Sequence, residues 1–272
     1  LRHPAAVKVL LLMGPRLLSM LFLHIYFLAR DNLASHFPAG AVTILNYGWF
    51  IQQMPETLIG TAIAIALLPS LSEHIARGQP GEFRDTVNRA LRSMLALTLP
   101  AAALLGVTIQ PLAAAVFGFE GADAVQLSWV TRAFLLGLLG HTWLEVAVRS
   151  FFAQQDALRP LAGALGMLLL YLALALTLPN WLGLGGLALA DTLAFTSQAL
   201  ALHWILNRRY PGTLRLGSTL PRALGSAALG GGAAWLVMLL LPGLWGALAA
   251  LAAGGLACLP LILPELRLLL RL

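Results

Sequence analysis

AVTILNYGWFIQQMPETLIGTAIAIALLPSL, from Ala41 to Leu71, runs for 31 residues with a single charged side chain, Glu56. A helix needs about 20 mainly apolar residues to cross a ~30 Å hydrocarbon core, so this stretch is long enough to span a bilayer. Backbone N–H and C=O groups in lipid find no water to bond, and a helix satisfies them within the segment. The alternating pattern of a membrane barrel strand is absent.

Seven further stretches read the same way: Val7–Ala29, Leu91–Phe117, Ala124–Phe152, Leu161–Leu178, Gly186–Leu206, Ala223–Leu241 and Leu244–Leu263. Hydrophobic residues make up 59% of the 272, and charged residues only 10%. So few charges could not clothe a soluble domain of this size. The expected fold class is therefore all-α, a polytopic helical membrane protein of eight transmembrane helices.

The formal net charge of +6 is placed unevenly. Arg2, Lys8, Arg77, Arg84, Arg89, Arg92, Arg149, Arg159, Arg208, Arg209, Arg215, Arg222, Arg267 and Arg271 flank alternate gaps. The opposite gaps hold Arg30 alone, beside Asp31, Glu120 and Asp123. Fourteen against one is a strong positive-inside bias, which places both termini on the cytoplasmic side. These basic loops meet anionic headgroups better than nucleic acid, and no nucleic-acid partner is expected.

Cys258, the single cysteine, excludes a disulfide framework and reads as a small core residue. No cleavable signal pattern is present. The chain begins with Leu and its first helix starts almost at once, so it reads as the tail of something longer. Between Ser72 and Leu91, Phe83, Val87 and Leu91 share one face opposite Arg84, Asp85, Asn88 and Arg92. That pattern fits a surface-lying helix feeding the third span, or equally a solvated extension of that span. Pro15, Pro55, Pro100 and Pro111 each remove a helix hydrogen bond and favour kinks. Small residues at packing spacing, Gly60-x-x-x-Ala64 and the Gly225–Gly232 stretch, allow close helix approach.

Ionisable groups at membrane depth cost about 2.5–3.5 kcal/mol each on insertion scales and usually face an interior cavity. Arg16 and Glu56 both fall near mid-span, and they are expected to face each other across a hydrated cavity. Asn46, Gln52 and Gln53 accompany Glu56 as a polar stripe. His141 and Glu145, four apart, share a face of the fourth span and could relay a proton. Arg132 is expected to snorkel towards the outer end, and Asp191 to sit partly solvated near it. His24 and His203 read as core residues. Metal-protease, hydrolase and phosphate-loop motifs are lacking, as are acidic pairs for prenyl-phosphate transfer. The reading is therefore transport or structure rather than an enzyme, with no metal or cofactor.

Several quoted stretches together resemble one family. DNLASHFPAGAVTILNY (Asp31–Tyr47) runs on through Pro55 to Leu68-Pro69-Ser70-Leu71-Ser72. FRDTVNRALR (Phe83–Arg92), FFAQQD (Phe151–Asp156) with Arg159-Pro160, and GLALA (Gly186–Ala190) follow in order. Across about Ala5–Arg209 the chain resembles the MurJ/MviN lipid II flippases of the MOP exporter superfamily. The resemblance implies a V-shaped, MATE-like transporter of two six-helix lobes plus two helices, fourteen in all. This chain would supply residues 1–209 as the C-terminal lobe and 210–272 as the added pair, which forms a groove for the lipid tail. The first lobe would come from the same longer chain or from a partner.

The implied activity is translocation of lipid II, a polyprenyl-diphosphate-linked peptidoglycan precursor, across the bacterial cytoplasmic membrane for cell-wall synthesis. Arg16, Asn46, Gln52, Gln53, Glu56 and Glu145 are the candidate substrate-binding residues, with Arg16 drawing the diphosphate. Two positions depart from the family: Phe50 stands where an Arg is usual, and Glu145 where a Lys is frequent. The alternatives are a flippase for another lipid-linked oligosaccharide, a membrane enzyme acting on lipid-linked sugar, or a non-transporting accessory subunit.

Overall fold

A computed structural model describes residues 4–269, with side chains over 13–265. Of the basic residues that set the orientation, Arg2, Lys8, Arg267 and Arg271 lie outside the described side chains. No strand occurs among the described residues. The chain folds as α1 (Pro4–Ala34), α2 (Ala41–Pro55), α3 (Ala62–Ala76), α4 (Pro80–Phe117), α5 (Gly121–Leu135) and α6 (Leu138–Ala153). It continues with α7 (Leu158–Ala175), α8 (Pro179–Leu182), α9 (Leu184–Arg209), α10 (Thr219–Leu240) and α11 (Leu244–Leu269). A π-helical turn, Glu56–Thr61, joins α2 to α3 as one rod.

Among the described residues, six helices are long and apolar enough to cross a membrane: α1, the α2–α3 rod, α4, α7, α10 and α11. The fourth expected span is instead broken at Leu136–Gly137 into α5 and α6, of 15 and 16 residues. The sixth, α9, has length enough at 26 residues but less apolarity, because Asp191, Thr192, Gln198 and His203 lie along it. Those four are all buried, since α9 packs against α1, α5, α6 and α7. Its polar residues serve the bundle interior rather than lipid.

Two local departures from regular helix have sequence causes. Pro55 has no N–H to give, and the chain behind it widens into the π turn. Gly60, in that turn, lies so near α6 that an added Cβ would stand 3.0 Å from the Thr142 Cα. At the α5–α6 break, the Gly137 N–H is satisfied by the Phe134 carbonyl at 2.8 Å. One turn later, a Cβ on Gly140 would sit 2.8 Å from the Thr196 Cα on α9. Small residues thus seat α6 between the π turn and α9.

The amphipathic segment after Ser72 does not lie on a surface by itself. It forms the first turns of α4, one 38-residue helix, and Phe83, Val87 and Leu91 are fully buried. Phe83 packs on Tyr210, with ring centroids 4.8 Å apart. Asn88 Nδ2 donates to the Thr213 and Arg215 carbonyls at 3.0 and 3.1 Å, and Arg209 Nη1 to Gln154 Oε1 at 2.5 Å. The starts of α4 and α10 and the ends of α6 and α9 therefore share one basic end of the bundle. The FFAQQD turn lies there too: Asp156, just before α7, accepts the Arg159 N–H at 3.3 Å and pairs with its guanidinium.

The last two helices pack on each other and on α4. A Cβ on Gly254 would lie 2.6 Å from the Gly230 carbonyl, and buried Cys258 donates to the Ser226 carbonyl at 3.3 Å. At the basic end, buried Glu265 of α11 accepts from Arg92 at 3.0 Å and from the Thr219 hydroxyl at 2.8 Å. Arg92 Nε also donates to Thr219 Oγ1 at 2.7 Å, so one triad ties α4, α10 and α11.

Two stability outcomes follow from this packing. Gly140→Leu should lower the thermal unfolding midpoint in detergent through an overpacking cost of about 1–3 kcal/mol, whereas Gly166→Leu, whose Cβ meets nothing within 4 Å, should not. Glu265→Ala should cost about 1–3 kcal/mol by stranding a charged hydrogen-bond partner. The double variant Arg92→Met with Glu265→Met should recover most of it, because an apolar pair can replace a buried ion pair.

Candidate functional site

Asn46 lies on a half-exposed face of α2, where with Tyr47, Trp49 and Phe50 it lines an open groove of about 400 Å³. Behind it sits Arg30, which the sequence placed in an outer gap. Arg30 is instead 2% exposed: it donates to Asn46, pairs with Asp31 at 3.1 Å, and stands 5.0 Å over the Phe27 ring and 5.7 Å from that of Trp49. Aromatic faces and one carboxylate replace the water that a guanidinium loses on burial. Gln53, the next polar residue of the stripe, is half-buried and makes no side-chain hydrogen bond among the described residues.

Gln52 and Glu56 turn inward. Gln52 is fully buried and donates from Nε2 to Glu56 Oε2 at 3.0 Å. The same Glu56 oxygen lies 3.7 Å from His141 Nδ1 on α6. On its other edge, His141 Nε2 is 3.1 Å from Asp191 Oδ2 on α9, and the remaining Asp191 oxygen accepts from the Tyr26 hydroxyl on α1. The His141 ring stacks on Phe195, centroids 4.4 Å apart and planes at 19°. Four rods thus meet at one buried polar chain, running Gln52–Glu56–His141–Asp191–Tyr26. Burial makes a carboxylate costly unless other groups bond it, and each Asp191 oxygen meets a polar group from another helix.

Several expectations are corrected by this geometry. Glu56 does not pair with Arg16: Arg16 is exposed on α1, and its guanidinium stands 5.6 Å from the Phe152 ring centroid. The partner of Glu56 is His141. Glu145 does not share a relay with His141, because it pairs with Arg149 on its own helix. Asp191 is fully buried rather than partly solvated. Arg132 donates from Nε to the Gly106 carbonyl at 2.7 Å, beside an apolar groove of about 330 Å³ between α4 and α5–α6. His24 is exposed and bonds the Met20 carbonyl at 2.7 Å, so it is no core residue, whereas His203 is buried and bonds that of Trp143 at 2.9 Å.

Tyr26 carried no sequence signal, being one aromatic among many in an apolar stretch. His141 and Asp191 were visible as polar residues at depth, but their pairing joins positions 50 apart. No group of three or more His, Cys, Asp or Glu able to hold a metal occurs among the described residues.

Comparison with known proteins places this geometry in a family. The family model described as lipid II flippase MurJ matches residues 1–253. The lipid II flippase MurJ of Burkholderia cenocepacia is 29% identical over 223 residues, which cover 79% of this chain and 43% of that protein. A probable lipid II flippase MurJ of Rhizobium meliloti is 31% identical over 237 residues, 83% of this chain and 43% of that one. The chain thus spans less than half the length of these curated relatives. Among solved structures, a lipid II flippase MurJ in an inward closed conformation superposes with a TM-score of 0.74 at 20% identity, covering 89% of this chain and 51% of that one. An outward-facing MATE-family multidrug transporter of the MOP superfamily gives 0.66 at 14% identity, covering 95% and 65%. With the family model matching nearly its whole length, the chain belongs to the lipid II flippase MurJ family.

Proposed function

We propose that this chain acts as the C-terminal lobe, with two added helices, of a flippase that carries lipid II outward across the bacterial cytoplasmic membrane. The observation that carries the reading is the family match over residues 1–253 on a fold like that of a solved MurJ. The chain spans 43% of its relatives, so a first lobe is taken to complete the cavity. In this reading residues 1–209 form the lobe, and α10 with α11 offers the lipid tail a groove. The eight rods, counting α5–α6 as one and α9 as another, each cross the bilayer. Both termini and the basic end formed by α4, α6, α9 and α10 face the cytoplasm, as the charge bias supports.

The physical demand is a wet surface for a headgroup that cannot enter hydrocarbon. Arg16, exposed on α1, would draw the diphosphate, while Asn46 and Gln53 would bond sugar or peptide groups along the open face of α2. Gln52 and Glu56 back that face from inside the lobe, and Glu145 contributes only through its pair with Arg149. A second reading, export of a different lipid-linked saccharide, is favoured by one feature. Phe50 occupies the groove where the family usually has an Arg, and it leaves that groove apolar beside Asn46.

Lipid flipping in vesicles holding this chain together with a first lobe tests the assignment. Loss of a charge-assisted contact worth about 1.5–3 kcal/mol should slow flipping by Arg16→Ala roughly tenfold or more. Asn46→Ala, which removes a neutral bond and an Arg30 partner, should slow it less. Flipping at the unaltered rate by both variants would remove the headgroup role from this face. Orientation is read separately: after Cys258→Ala, a cysteine at Gln79 should label from the cytoplasmic side and one at Glu120 from the outside.

A further inference from the structure

We infer that His141 is a proton-binding site whose occupancy decides whether the π turn is held to α6. It rests on the transporter reading for its purpose, but not for the proton itself. His141 faces acceptors on both edges: Asp191 Oδ2 at 3.1 Å from Nε2, and Glu56 Oε2 at 3.7 Å from Nδ1. A neutral imidazole carries one N–H, so it can donate to one carboxylate only. The shorter contact keeps that hydrogen on Nε2. Nδ1 then turns a lone pair towards the Glu56 carboxylate, and the two repel. One added proton converts the ring to imidazolium, which has a donor on each edge, and Glu56 gains an ion pair in place of a repulsion.

The groups around His141 make the Glu56 contact the one that changes. From α9, Asp191 is already satisfied by the Tyr26 hydroxyl of α1 and keeps its His141 bond in either state. Arg30, also on α1, is engaged by Asp31 and Asn46, and Tyr171 of α7 lies against the Tyr26 ring at 4.7 Å. On α6 itself, Glu145 is neutralised by Arg149. Glu56 alone has a weaker hold: Gln52 at 3.0 Å on its own rod and, among the described residues, no polar partner across the helix interface except His141. The π turn also has a second contact with α6, where Gly60 lies against Thr142, so the same surface would loosen or seat as one unit. The α2 rod carries Asn46 and Gln53, which would connect proton uptake inside the lobe to the exposed face where a headgroup would bind.

Amide hydrogen exchange of the Glu56–Thr61 segment reads this directly, in the chain reconstituted in lipid nanodiscs between about pH 5 and pH 9. After correction for intrinsic exchange, protection should fall about tenfold or more through one transition as pH rises. His141→Gln and Glu56→Gln should each give a flat profile, because neither keeps both titrating partners. Glu145→Gln should retain the transition. A flat profile in the unaltered chain, or a transition that persists in both the His141 and the Glu56 variants, would overturn the inference. The flipping assay fails independently: vesicles that never flip lipid would sink the transporter reading and leave the exchange profile to decide the proton site by itself.

Discussion

Asp191 is a carboxylate with no exposure, in the helix that touches most of the lobe. An isolated charge there would cost many kcal/mol, and only partners brought by other rods can offset it. Tyr26 reaches it from α1 and His141 from α6, and His141 in turn meets Glu56 at the head of the π turn. Apolar packing between helices in lipid is weakly directional, since lipid tails are as apolar as the side chains they replace. The buried polar chain supplies what packing lacks, a defined register between α1, α2, α6 and α9. Apolar clusters then close on either side of it, one around Tyr26, Phe134 and Tyr171 and the other around Leu91, Trp143 and Phe151.

The irregular backbone is found where this chain of contacts needs it. Pro55 precedes the π turn that carries Glu56, and the α5–α6 break precedes the helix that carries His141. Both are places where a straight helix would set its side chain at another angle. Gly60 and Gly140 lie beside them and remove the Cβ atoms that would hold the rods apart. A regular helix is the low-energy form in lipid, so departures from it on two facing rods need a local cause.

The other end of the bundle is built differently. There Arg92, Thr219 and Glu265 bind α10 and α11 to the foot of α4, and the glycine-to-glycine contact at Gly230 and Gly254 brings the pair close along its length. Here the Glu265 carboxylate is held through one oxygen, Oε1, and the other is buried without a hydrogen-bond partner among the described residues.

Hydrophobic length and charge placement settled the class of fold in advance, because the cost of exposing a polar backbone to lipid leaves helices as the form of an uninterrupted chain in the bilayer. The same reading found the polar positions at depth, and the motifs from Asp31 to Ala190 pointed to the family. Pairing lay beyond it. Arg16 and Glu56 looked matched by depth alone, yet depth is one coordinate, and the facing of each rod is set by contacts with three or four others. Tyr26, Arg30 and Asp191 took roles that no local pattern marked, and α4 absorbed a segment whose amphipathic stripe suits a membrane surface and a protein groove equally well. Which polar groups are near the mid-plane follows from counting along the chain at 1.5 Å per residue; which of them touch is decided only when the rods are rotated and packed.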